Sequence, residues 1–269
     1  MVPSTRLVLL GTGSSGGVPR VGGDWGACDP GEPKNRRRRC CALIEKRAPG
    51  GGLTSVLIDT SPDLREQLLD AGVRDLDAVV YTHEHADQVH GIDDVRPLVI
   101  RRGAAIPVFM NAGTREILTQ RFDYCFQGNG GYPPILDVQP DLLPGMPFSI
   151  PGAGGELTLL PFDMEHGSIR CLGFRIGGLA YCNDVSDLPE ASKAALKGLD
   201  TLVIDALRYR EHPTHANVTK ALDWISELKP RRAVLTNMHV DLDYQTLKRE
   251  LPAGVEPGFD GMVLHIQST

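Results

Sequence analysis

The chain has 269 residues, 41% hydrophobic and 23% charged, with 30 glycines and 20 prolines; this excludes a chiefly disordered chain and suffices to bury a core without staples. A net charge of −6 excludes a protein that coats nucleic acid, which needs clustered cations to release counterions. No apolar run reaches the roughly 18–20 residues of a membrane helix, residues 1–10 are too short in apolar stretch for a secretory signal, and six cysteines without C-x-x-C spacing lead us to expect reduced thiols in the cytoplasm.

Residues 6–10 read as a strand entering Gly11-Thr12-Gly13-Ser14-Ser15-Gly16-Gly17, a turn of small residues that lacks the Lys-Ser/Thr ending of a phosphate-binding loop. The arginine run 36–39 could meet phosphate, but reads first as a solvated edge guarding the strand that follows. Strands at 41–45 and 54–59 flank Gly50-Gly51-Gly52 as a hairpin, and a helix at 63–70 opens at Pro62 with Ser61 as its cap and stops at Gly72. An apolar strand at 76–81 runs into Thr82-His83-Glu84-His85-Ala86-Asp87-Gln88. A strand at 107–110 and a helix at 114–121 come next; residues 127–151, rich in Gly and Pro without periodicity, read as a surface excursion. Strands at 157–162, 169–176 and 179–182 follow, the last two joined by Gly177-Gly178. Helices at 189–197, 218–228 and 244–251 then alternate with strands at 201–205 and 233–236, and a strand at 262–266 closes the chain. With no repeat and no long linker, residues 1–269 form one sandwich-like domain.

The chemistry begins at 82–88. His83 and His85, separated by one residue at a strand end, can point the same way and converge on one ion, with Asp87 two further on. Imidazoles with a carboxylate suit Zn, Mn or Fe, and a strand-to-loop junction leaves coordination positions open. Spacing alone leaves a polar surface turn equally open. The other polar residues weigh against that reading: His166, Asp184, His215, Asn237 and His239 each follow a strand, so several strand exits share one rim. His90 reads at most as a supporting group, and His212 and His265 as ordinary residues.

Thr82-His83-Glu84-His85-Ala86-Asp87-Gln88 resembles the H-x-H-x-D-H motif of the metallo-β-lactamase fold superfamily. Gly11-Thr12-Gly13, Ile58-Asp59-Thr60-Ser61-Pro62-Asp63 and Gly258-Phe259-Asp260-Gly261-Met262 most resemble its phosphoribosyl 1,2-cyclic phosphate phosphodiesterases, with ribonuclease Z the next relative. The resemblance implies an α+β fold, an αββα sandwich with two divalent ions, Mn or Zn, on its strand-exit rim. His83, His85 and His166 would hold the first ion, Asp184 would bridge, and Asp87 would serve the second. Gln88 stands where the motif has its last His, and Asn237 where a His is expected, so the second site should be weaker and relatively better suited to Mn. His239 is the first candidate for the missing nitrogen, with Gln88 and Asn237 behind it. Only Cys28 stands where those phosphodiesterases carry a zinc-binding cysteine cluster, so that zinc is expected to be absent.

The implied activity is hydrolysis of a small cyclic phosphate, a ribose cyclic phosphate or 2′,3′-cyclic nucleotide, by metal-activated water. Asp87 and Asp184 would hold the water, and His215 would be the general acid. The alternatives are a tRNA 3′-processing endonuclease, against which the acidic charge speaks, and a catalytically weak ligand-binding protein with a single metal. The expected partner is a small phosphodiester or nucleotide, with no large nucleic acid and no membrane; monomer and homodimer both stay open.

Overall fold

The computed structural model of the protein describes residues 4–267. Its strands are β1 (Ser4–Gly11), β2 (Cys41–Arg47), β3 (Leu53–Ile58), β4 (Ala78–Val80), β5 (Ile106–Phe109), β6 (Leu136–Val138), β7 (Phe148–Ile150), β8 (Leu157–His166), β9 (Ile169–Ile176), β10 (Leu179–Cys182), β11 (Thr201–Asp205), β12 (Arg232–Thr236), β13 (Val255–Pro257) and β14 (Met262–Ile266). They form two seven-stranded sheets, ordered β14-β1-β2-β3-β4-β5-β6 and β13-β12-β11-β10-β9-β8-β7.

Side chains alternate across a strand, so each sheet has two faces, and both are apolar here. In β1, Leu7 and Leu9 face Leu159, Phe174 and Val203 of the other sheet, while Val8 and Leu10 pack outward with Leu57, Leu64 and Leu68. The outer layers are helical. Helices α1 (Leu64–Asp70), α2 (Ala86–Val89), α3 (Arg96–Arg102), α4 (Ala112–Arg121) and α5 (Asp123–Gln127) lie in the first half of the chain. Residues of these helices, such as Leu68, Val89, Leu98 and Leu118, cover the outer face of the first sheet. Helices α6 (Glu190–Ala195), α7 (Val218–Leu228) and α8 (Tyr244–Glu250) belong to the second half, where Trp224, Leu228 and Leu247 pack on the outer face of the second sheet. The order of layers is αββα. Truncating a central residue such as Phe174, fully buried between the sheets, should cost about 3–5 kcal/mol.

Three local expectations are corrected. Residues 127–151 are not merely an excursion: they contain β6 and β7, the outermost strands of the two sheets. Each has three residues with a single one buried, Leu136 and Ile150, too few to show a period. Ser61 does not cap α1; its hydroxyl donates to Gln67 Oε1 at 2.7 Å and accepts from Asp63 N at 3.2 Å.

The arginine run is not a solvated edge either. Arg37 is 2% exposed and donates to Asn35 Oδ1 at 3.3 Å, while Arg38 and Arg39 pair with Asp70 and Asp63 at 2.6 and 3.0 Å. These contacts hold the run against the loop after β1, where Gly13 N donates to Arg38 O and Ser14 N to Met238 O. A Cβ at Gly11 would fall 2.0 Å from Arg39 O, so this glycine serves close backbone approach rather than a phosphate.

Candidate metal centre

The exits of β3, β4, β8, β10, β11 and β12 meet on one rim. Asp59 follows β3, His83 and His85 lie between β4 and α2, His166 ends β8, Asp184 follows β10, Asp205 ends β11 and Asn237 follows β12. Asp59, Asp184 and Asn237 have φ of 63°, 52° and 60°. This left-handed conformation is tolerated best by Asp and Asn among residues with a Cβ, and its repetition at three strand exits re-aims the chain so that side chains turn inward over the rim.

Ligand atoms of His83, His85 and His166 all lie within 4.8 Å of one another. Hydrogen bonds on the far side of each ring orient two of them. Thr82 N and Oγ1 donate to the two oxygens of Asp59 at 2.8 and 2.9 Å, which leaves an Oγ1 lone pair to accept Nδ1–H of His83 at 2.9 Å. Nε2 of His83 is then bare. It is fully buried without an aligned partner, because the Asp184 oxygen 3.3 Å away lies off its lone-pair direction. His166 donates Nδ1–H to Thr214 O at 2.6 Å, so its Nε2 is bare as well and stands 3.1 Å from His85 Nδ1. Burial lowers the His166 pKa to about 4 against the pull of Asp184, and burial lowers that of His85 too. A separation of 3.1 Å lets these two ring nitrogens either share a proton or face a common ion. With His83 Nε2 beside them, they make a three-nitrogen pocket that fits one divalent ion of the Zn or Mn type.

Acid groups and amides fill the other half of the rim. Burial would raise the pKa of Asp184, which is 1% exposed; the imidazoles around it overcome this and hold the carboxyl well below the usual range. Asn237 Nδ2 donates to Asp184 Oδ1 at 2.6 Å and to Asp205 Oδ1 at 3.2 Å. Gln88 Nε2 donates to Asp87 Oδ2 at 3.2 Å and to Asp184 Oδ2 at 3.3 Å, and Gln88 Oε1 accepts from Asn183 Nδ2. His215 Nδ1 lies 2.9 Å from Asp205 Oδ2 and 3.9 Å from Asp184 Oδ1. Burial alone would lower the His215 pKa; the Asp205 hydrogen bond and charge reverse this and hold the ring cationic at neutral pH. Asp184, Asp205 and His215 form a second cluster within 4.8 Å.

The structure thus brings His83, His85, Asp87, Gln88, His166, Asp184, His215 and Asn237 together. His239 goes elsewhere: its Nε2 lies 2.8 Å from Arg20 Nη2 and its Nδ1 3.3 Å from Asp241 Oδ1. His90 is exposed against Phe122, and His265 is exposed on β14. His212, read as ordinary, instead stacks beside His215 with ring centroids 5.0 Å apart. Sequence reasoning missed Asp205 and Thr82 as site residues. A fully buried carboxylate ending the apolar strand Thr201–Asp205 was the available signal for the first.

Bare ring nitrogens aimed at one point on the rim of an αββα sandwich define a class, the metal-dependent hydrolases of metallo-β-lactamase fold. The model of the beta-lactamase superfamily domain matches residues 54–238, and the chain belongs to that superfamily. It is 36% identical over 262 residues to a Porphyromonas gingivalis protein named octanoyltransferase, matching 96% of this chain but about half (51%) of that protein's length. It is also similar to a solved diphosphatase of the PhnP family, at 35% identity, TM-score 0.87 and 98% coverage of both chains. Human tRNase Z, short form, shares the fold at 15% identity and TM-score 0.65, covering 97% of this chain and 99% of its own.

Proposed function

We propose that the protein is a phosphodiesterase that hydrolyses a small cyclic phosphate, a ribose cyclic phosphate or a 2′,3′-cyclic nucleotide, in the cytoplasm. The observation that carries the reading is the Asp205–His215 contact of 2.9 Å beside Asp184, which sets a cationic imidazole at the edge of the metal pocket. A divalent ion held by His83, His85 and His166 would acidify water and neutralise charge on the phosphoryl oxygens. Asp87 and Asp184 position the attacking water, and Asp87, whose pKa burial raises, accepts its proton. Its oxygen bonds to phosphorus as the P–O bond to the ring oxygen breaks, and His215 delivers its ring proton to that oxygen, which leaves as a hydroxyl. Asp205 keeps His215 charged and oriented before the transfer. Six free cysteines, all buried, support a reducing compartment.

A second reading, cleavage of a P–O–P linkage in a small diphosphate, is favoured by the similarity to the diphosphatase over 98% of both chains. Transfer RNA is disfavoured by the net charge of −6. Phosphorus NMR of Mn-loaded protein mixed with a 2′,3′-cyclic nucleotide tests the first reading: conversion of the cyclic diester to a monoester, abolished by a chelator, is expected. An unchanged cyclic diester alongside cleavage of an organic diphosphate would replace it by the second.

A further inference from the structure

From the two amides on the rim we infer that this chain works with one metal ion, the side-chain NH₂ groups of Gln88 and Asn237 standing in for the second. The inference deepens the hydrolase reading, since it concerns the cofactor of the same site. Asn237 points Nδ2 at Asp184 Oδ1, 2.6 Å, and at Asp205 Oδ1, 3.2 Å. Gln88 points Nε2 at Asp87 Oδ2, 3.2 Å, and at Asp184 Oδ2, 3.3 Å. Rotating either amide by half a turn would set its oxygen against two carboxylates, an uncompensated repulsion inside a buried site, so the carboxylates themselves dictate which atom faces them. The far sides agree. Gln88 Oε1 has a donor in Asn183 Nδ2 at 3.4 Å, and Asn237 Oδ1 has the Cys40 thiol at 3.9 Å.

An amide nitrogen has no lone pair to give a metal. What these two offer is what a cation would offer, positive charge density directed at Asp87 and at both oxygens of Asp184. Gln88, in α2, and Asn237, after β12, are 0% and 1% exposed. Asp184, Asp205 and His215 lie within 4.8 Å of one another and could offer a second ion two carboxylates and a ring nitrogen, but His215 Nδ1 is taken by Asp205 at 2.9 Å and Asn237 bonds both carboxylates, so that ion would have to break these contacts and would gain amide oxygens where imidazoles are absent. His239 does not make good the loss, because Arg20 takes its Nε2 at 2.8 Å. The donor set therefore fits an ion at the three imidazoles and does not fit one at the amide half.

The test is metal stoichiometry by inductively coupled plasma mass spectrometry after dialysis against excess Mn²⁺ and desalting, with electron paramagnetic resonance on the same samples. One Mn per chain, with the resolved hyperfine lines of an isolated ion and loss of that ion in His83→Ala, is expected. Gln88→His combined with Asn237→His should raise the ratio to two and give the broadened spectrum of an exchange-coupled pair. Two ions per chain with a coupled spectrum in the unaltered protein would overturn the inference. A folded double variant that still holds one ion would overturn the role given to the amides, and Asn237→His alone is the fallback if the double variant does not fold. A ratio of zero in the unaltered protein would instead overturn the metal-dependent reading itself.

Discussion

The imidazole half of the rim, open to solvent at His85, and the amide half, where Gln88 and Asn237 are buried, solve opposite problems. Around His83, His85 and His166 the outer hydrogen bonds, to Thr82 and Thr214, take the Nδ1 atoms of His83 and His166 and leave their Nε2 atoms turned toward the pocket. Around Asp184 two amide donors, from Gln88 and Asn237, bond its two oxygens, and the charged His215 stands 3.9 Å away. A site short of positive charge recruits a metal; a site supplied with N–H donors has no need of one. On the one-ion proposal, hydrogen bonds one layer behind the ligands set how many ions this rim holds.

Removing the imidazole half should have the largest effect: His83→Ala with His85→Ala is expected to strip the protein of metal and of hydrolysis together, and unchanged metal content would break the comparison. Next in size is His215→Ala, expected to lower turnover about 10²–10⁴-fold while leaving metal content intact, read by single-turnover kinetics. Asp205→Asn should cost less in maximal rate but change the pH profile. His215 acts as an acid, so the rate falls as pH rises past its pKa; because Asp205 raises that pKa, its loss should move the alkaline limb to lower pH. An unmoved limb would assign the acid to another group. Smallest is Thr82→Val, which frees the His83 tautomer and should weaken metal affinity about 10–100-fold, an effect that saturating metal erases.

The legible parts of this molecule were the local ones. The spacing of His83, His85 and Asp87 lies within five residues, and the strands that carry Leu7, Leu43 and Phe174 are long enough to show their apolar character. Edge strands β6, β7 and β13 were not legible, since three half-exposed residues carry no pattern and are held in place by the neighbouring strand. The arginine run misled for a related reason: four adjacent cations look solvated until the loop after β1 brings Asp63, Asp70 and Asn35 to meet them.

By itself, then, the sequence determined the layered fold class, the imidazole triad and the presence of carboxylates and amides near it, because periodicity and short motifs are properties of neighbouring residues. The partners across the rim were decided only in three dimensions. Asp205 with His215, Thr82 between Asp59 and His83, Arg20 with His239, and the outward or inward turn of each amide depend on sheet register and on left-handed residues at strand exits. A hydrogen bond is made by atoms a few ångströms apart whatever their separation in the chain, so its donor and acceptor become known only once distant strands lie side by side.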